Sequence, residues 1–139
     1  FWIASKSHLQ RASIWQPWSG KNRFLERLLA VPEFRAIYGA RLEDMLNRPF
    51  TPDRIQSRVE EIAAVIRAPI SAESKFRLNK FEQEIGAKPV TPSPDESRSG
   101  FNQPVCPYKK FVEVRARSVR DQLDGKSKGL IVPPLSETF

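Results

Sequence analysis

Residues 22–46 read Asn22-Arg23-Phe24-Leu25-Glu26-Arg27-Leu28-Leu29-Ala30-Val31-Pro32-Glu33-Phe34-Arg35-Ala36-Ile37-Tyr38-Gly39-Ala40-Arg41-Leu42-Glu43-Asp44-Met45-Leu46, and their spacing decides the fold class. The side-chain oxygen of Asn22 can accept one of the orphan amides at a helix start, and Phe24, Leu25, Leu28 and Leu29 then recur at helical spacing. Pro32 ends that run. It suits the first turn of a following helix, where its missing N–H costs nothing. Phe34, Tyr38, Leu42, Met45 and Leu46 form one apolar stripe, which predicts a second helix ending near Arg48.

The same logic extends downstream. Thr51-Pro52-Asp53 combines a capping oxygen, a preset first turn and an acid at the positive end of the helix dipole. The third helix it predicts carries Ile55, Val59, Ile62, Ala63 and Ile66 on one face until Pro69 interrupts. Residues 72–85 predict a fourth helix with Phe76, Leu78, Phe81 and Ile85, closed by Gly86 in a left-handed conformation. Residues 87–106 hold Pro89, Pro92, Pro94 and Pro104 among serines and read as a surface loop. Pro107 opens the last helix, in which Phe111, Arg115, Val119 and Leu123 fall four apart, Val112 widens the stripe and Gly125 ends it.

The two ends are less regular. Residues 1–20 contain Trp2, Trp15 and Trp18 without a sustained period and read as an extended lead-in, whereas residues 126–139 read as an extended tail. In that tail Leu130-Ile131-Val132 either adds one short edge strand or lies over the core. The expected architecture is mainly α, with about five helices in an irregular bundle. Residues 21–86 form its helical core, and the final helix, 107–125, packs on that core. Trp15, Trp18, Phe34, Tyr38 and Phe111 are the expected packing anchors.

Composition narrows the function classes. The chain has 139 residues, a hydrophobic share of 40% and a charged share of 28%, which fits one modest globular domain rather than a disordered chain. The single cysteine, Cys106, excludes an intramolecular disulfide. No apolar run is long enough to predict a membrane span or a signal segment, and a first residue of Phe1 suggests a piece of a longer protein. The compartment stays open. Residues 1–50 carry eight basic and four acidic side chains and residues 101–139 carry seven and four, so the net charge of +7 sits at the two ends. Such a balance favours acidic partners, nucleic acid among them.

Catalytic chemistry finds little to work with. His8 is the only histidine, and alone in a polar lead-in it reads as an ordinary surface residue. Cys106, flanked by Pro104 and Pro107, reads as a packed or idle thiol rather than a nucleophile. Ser19-Gly20-Lys21-Asn22 resembles the end of a phosphate-binding loop, but the first glycine is absent and Asn22 stands where magnesium needs a hydroxyl. Glu43, Asp44, Glu60, Glu61, Glu82 and Glu84 fall on helix surfaces beside basic neighbours. No catalytic, cofactor-binding or metal-binding residue is therefore assigned. Lys109, Lys110, Arg115, Arg117 and Arg120 make the last helix the densest positive group, and they are the candidate partner surface.

The wording of the chain carries more. Trp15-Gln16-Pro17-Trp18, Asn22 to Phe34 with Tyr38 and Leu42, Phe50-Thr51-Pro52-Asp53-Arg54-Ile55, Ile62-Ala63-Ala64-Val65-Ile66-Arg67 and the Phe111 to Leu123 helix, in that order, resemble the C-terminal part of the CotH family. These are spore-coat-H-like atypical protein kinases. The resemblance covers residues 14 to about 128 and implies a helical subdomain like a kinase C-lobe. ATP and magnesium are implied for the parent protein, with the acidic motifs that hold them upstream of the matched region. The partners it implies are that upstream part and a protein substrate. Two alternatives stay open at this point: an independent module whose basic last helix binds nucleic acid or another acidic partner, and a structural domain of a coat or surface assembly.

Overall fold

A computed structural model describes residues 6–88 and 106–132 of the chain. Among them the fold is mainly α, as expected: α1 (Lys6–Arg11), α2 (Arg23–Ala30), α3 (Pro32–Asn47), α4 (Pro52–Glu73), α5 (Lys75–Ile85) and α6 (Tyr108–Leu123). The chain divides into two compact units, Phe1–Thr51 with Glu113–Phe139, and Pro52–Val112. That boundary falls inside residues 21–86, which the sequence presents as one core. Most of α6 belongs to the first unit and its opening turn to the second.

In the first unit, Asn22 caps α2 as its residue type requires, its Oδ1 accepting the Leu25 N–H at 3.1 Å. Val31 joins the next two helices. Its N–H closes α2 on the Leu28 carbonyl at 3.2 Å, and its carbonyl accepts the first α3 bond from Arg35 at 3.0 Å. Ile14, Leu46 and Val119 form the core, with Trp15, Leu42, Phe50, Ala116 and Leu123 packed against them. The α3 stripe is only partly used. Leu46 is buried, but Phe34 is 50% and Met45 49% exposed, because this small core covers one end of a 16-residue helix.

The lead-in departs from expectation. Residues 6–11 form α1, which is under two turns long and so too short for an apolar period to show in the sequence. Residues 1–5 lie outside the described residues. The chain beyond α1 is extended and pairs with the tail. Leu130 donates its N–H to the Arg11 carbonyl at 2.7 Å and accepts from the Ser13 N–H at 2.8 Å. Two isolated parallel bridges result, Ala12 with Leu130 and Ser19 with Val132, and no strand forms among the described residues. Residues 12 to 19 are too many to stay in register with 130 to 132, so the longer side loops out and carries Trp15 and Trp18.

In the second unit, Pro52 opens α4, which then continues through Pro69 to Glu73 instead of stopping there. Proline removes the bond that residue 69 would donate to the Val65 carbonyl. Val65 is 75% exposed, so water can take that acceptor and the helix persists. Ser74 then caps α5, its Oγ accepting the Arg77 N–H at 3.4 Å, which sets the start at Lys75 rather than residue 72. Gly86 (φ 87°) closes α5 in the left-handed region, with the Ala87 and Lys88 N–H groups on the Glu82 carbonyl at 2.9 and 3.1 Å. A Cβ on Gly86 would touch that of Pro107 at 3.4 Å. α4 packs on α5, and Ala63, Ile85 and Val112 are buried here. Of the Pro/Ser-rich loop, residues 89–105 lie outside the described residues.

Two glycines with positive φ separate strain from space. At Gly129 (φ 71°) a Cβ would strike the Gln122 side chain and come within 2.6 Å of the Ser13 Cα, whereas Gly20 (φ 67°) faces nothing within 4 Å. Gly129→Ala is expected to destabilise the first unit by at least about 2 kcal/mol, and Gly20→Ala by only the left-handed strain of about 1–2 kcal/mol. Urea unfolding followed by tryptophan fluorescence, with Trp15 and Trp18 lying in this unit, would measure both.

Candidate functional site

Three residues of the lead-in, Ala12 to Ile14, are held from two sides within the first unit. On one edge lies Leu130 of the tail. On the other, the buried Gln122 of α6 uses its whole amide: Oε1 accepts the Ile14 N–H at 2.8 Å, and Nε2 donates to the Ala12 carbonyl at 3.3 Å and to Ser118 Oγ at 3.1 Å. A side-chain amide thus completes the pairing that a neighbouring strand would supply. Trp15 follows directly. Its indole donates to the Gln122 carbonyl at 3.4 Å, meets Tyr38 edge-on with centroids 6.0 Å apart and lies 3.9 Å beneath the Arg35 guanidinium. Gly39 admits the ring, since a Cβ there would sit 3.3 Å from it.

The five cations singled out on the last helix meet different fates. Arg115 donates to the Ala12 carbonyl at 2.6 Å and is half-buried, and burial holds its pKa below the ordinary arginine value. Tyr38 acts on it electrostatically, and burial raises the phenol above its own usual value. Arg120 reaches Asn47 at 2.6 Å and Glu43 at 3.4 Å. Arg117 is exposed. Lys109, in the second unit, binds Glu60 at 2.5 Å, and Lys110 is exposed and also engaged. Among the expected anchors Trp15 and Tyr38 pack together, Phe34 is half exposed, and Trp18 and Phe111 are partly buried. The Trp18 indole nitrogen is buried without a hydrogen-bond partner.

The second unit holds a chain of alternating charges. Lys109 meets Glu60, Glu60 meets Arg67 at 2.9 Å, and Arg67 meets the buried Glu82 at 2.7 Å, linking α4, α5 and the opening turn of α6. Arg67, shared by two carboxylates, is held more firmly cationic than usual. Hydrogen bonds from Lys109 and then Arg67 hold the Glu60 carboxyl below the ordinary carboxylate range.

Two concavities flank the loop that follows α6, both in the first unit. One, of about 460 Å³, lies between the Arg117 and Asp121 face of α6, Arg11 and residues 127–130. The other, of about 750 Å³, is bounded by Trp15, Arg35, Gln122 and the same loop. Arg11 and Lys128 are absent from the sequence-derived candidates, because they lie in segments whose pairing is invisible to periodicity. The two glycines bracketing Lys126 to Lys128 are the local sign of a tight turn there. Among the described residues no three His, Cys, Asp or Glu side chains come together as a metal cage, and no helix is long and apolar enough to cross a membrane.

Two outcomes follow from these contacts. Arg115→Ala should cost about 1.5–3 kcal/mol, the worth of a hydrogen bond to a charged donor, while Arg117→Ala should stay within about 0.5 kcal/mol; thermal denaturation would compare them. Glu60 has a lowered folded pKa, so its contribution is complete above the ordinary glutamate value of about 4.3 and is lost as pH falls through the folded value. Protection of the α4 amides against exchange, relative to the intrinsic rate at each pH, should fall on acidification through that range, and Glu60→Gln should flatten the response.

A family model described as CotH kinase protein matches residues 2–119. Comparison with curated proteins and with solved structures gives no match.

Proposed function

We propose, from the premise that this chain belongs to the CotH kinase protein family, that it is the C-terminal helical part of a kinase-like parent and scaffolds a phosphotransfer site formed upstream. The observation that carries this reading is the apolar surface left uncovered on both units. Phe24 (73% exposed), Phe34, Ile37 and Met45 stand out from α2 and α3, and Ile62, Val65 and Phe76 from α4 and α5. Scattered exposed apolar residues are ordinary, but large ones concentrated on consecutive helices suit a surface that packs on further chain. In this proposal ATP and magnesium act in the parent. The acidic side chains described here do not converge, so they do not fit a magnesium site and no step runs through them.

The test is calorimetry on this chain with ATP, with and without magnesium, together with titration of the upstream part of the parent. The expected result is no magnesium-dependent nucleotide binding, and saturable association with the upstream part that Phe24→Ser with Phe34→Ser abolishes while the helical spectrum is retained. Magnesium-dependent binding of ATP by this chain alone would overturn the scaffold role.

A further inference from the structure

The smaller concavity of the first unit is lined by three cations, two serines and one carboxylate. Val114, Arg117, Ser118 and Asp121 recur three and four apart, so one face of α6 forms its floor. Arg11 enters from the end of α1 and Lys128 from the glycine-bracketed loop. Among the described residues Arg11, Arg117 and Lys128 make no ion pair, whereas Lys109 and Arg120 of the same helix are each matched to a glutamate. Three unmatched cations around one groove repel one another unless an anion joins them.

The hydroxyls sharpen the chemistry. Ser118 Oγ accepts from Gln122 Nε2 at 3.1 Å, and Ser127 Oγ accepts from the Gly129 N–H at 3.1 Å. Each hydroxyl is thereby oriented as an acceptor and keeps its own proton for donation. Both line the groove, so two O–H donors accompany two guanidinium forks and an ammonium. Against them stands one acid, Asp121, whose charge also acts on the neighbouring Lys126. Three cations less one carboxylate leave a charge of +2 at the lining. A dianion with several acceptor oxygens fits that balance, and a phosphate monoester is such a group above its second pKa of about 6.

We propose that this groove is a binding site for a phosphate monoester, with Arg11, Arg117 and Lys128 supplying charge, Ser118 and Ser127 donating hydrogen bonds, and Asp121 setting the limit on affinity. The site stands whether or not the parent transfers phosphate, and it needs no magnesium, which would compete for the dianion.

The experiment is amide chemical-shift titration of the full chain with inorganic phosphate, with a neutral peptide bearing one phosphoserine, and with the same peptide unphosphorylated. Saturable shifts at residues 117, 118 and 127–129 are expected with both phosphate probes and none with the bare peptide. Tighter binding of the phosphopeptide would identify a phosphorylated chain as the source, and tighter binding of inorganic phosphate a free anion. Arg117→Ala with Lys128→Ala should weaken binding at least about tenfold, since each removes a charge-assisted contact from an exposed side chain. Asp121→Asn should strengthen binding, and affinity for the phosphopeptide should rise as pH passes upward through about 6, as the second phosphate proton leaves. Absence of saturable shifts, equal shifts with the unphosphorylated peptide, or affinity unchanged in the double variant would overturn the site. These readouts are independent of magnesium-dependent ATP binding, so failure here and failure of the scaffold reading are separate results.

Discussion

The first unit depends on a single amide. Gln122 sits on a regular helix, fully buried, and offers one acceptor and two donors in the geometry of a peptide group. An extended segment buried against a helix would ordinarily leave its N–H and carbonyl groups unsatisfied on that side, at a cost of several kcal/mol. Gln122 removes that cost for Ala12 and Ile14, and Leu130 removes it on the opposite edge for Arg11 and Ser13. With its backbone satisfied, Ile14 can enter the core beside Leu46 and Val119, and Trp15 can settle over Gly39. The close passage of the tail explains why residue 129 lacks a side chain.

The second unit solves its polar problem with charge instead. The relay from Lys109 through Glu60 and Arg67 to Glu82 alternates in sign and has two members of each, so it is neutral as a whole. Lys109, Glu60 and Arg67 are partly solvated, which limits what each pair contributes. Glu82 differs because it is buried, and a carboxylate there without Arg67 would be an uncompensated charge. The relay therefore specifies which faces of α4, α5 and the start of α6 meet, while Ala63, Ile85 and Val112 supply the burial.

What could be read from sequence was what is decided locally. Asn22, Pro32, Pro52 and Gly86 each act within one helical turn, and the helix ends they predict are where the structure puts them. Pro69 failed as a boundary because the consequence of a missing N–H depends on whether solvent reaches Val65, which residue order does not state. α1 escaped for want of length. The partnership of the two ends escaped for a different reason, since the Arg115 and Gln122 contacts with Ala12 and Ile14 span more than a hundred residues. The basic residues of α6 show the same division. Their density was evident, but that Arg115 caps a distant carbonyl while Arg117 remains exposed follows only from which turn faces the lead-in. Gln122, a polar residue beside Asp121, reads as solvated surface although it is among the most buried side chains.

The order in which the units occur along the chain has a bearing on synthesis. Residues 52–112 form an uninterrupted stretch, so the second unit has all its own material once Val112 has left the ribosome. The first unit is split around it, and residues 12–14 must wait for a helix and a loop made more than a hundred residues later. Closing a loop of that length costs entropy that grows only slowly with its size, and an already folded intervening segment shortens the effective path between the ends. Until then the segment that carries Trp15 and Trp18, with its extended backbone unsatisfied, is the part most exposed to capture by chaperones or by other nascent chains.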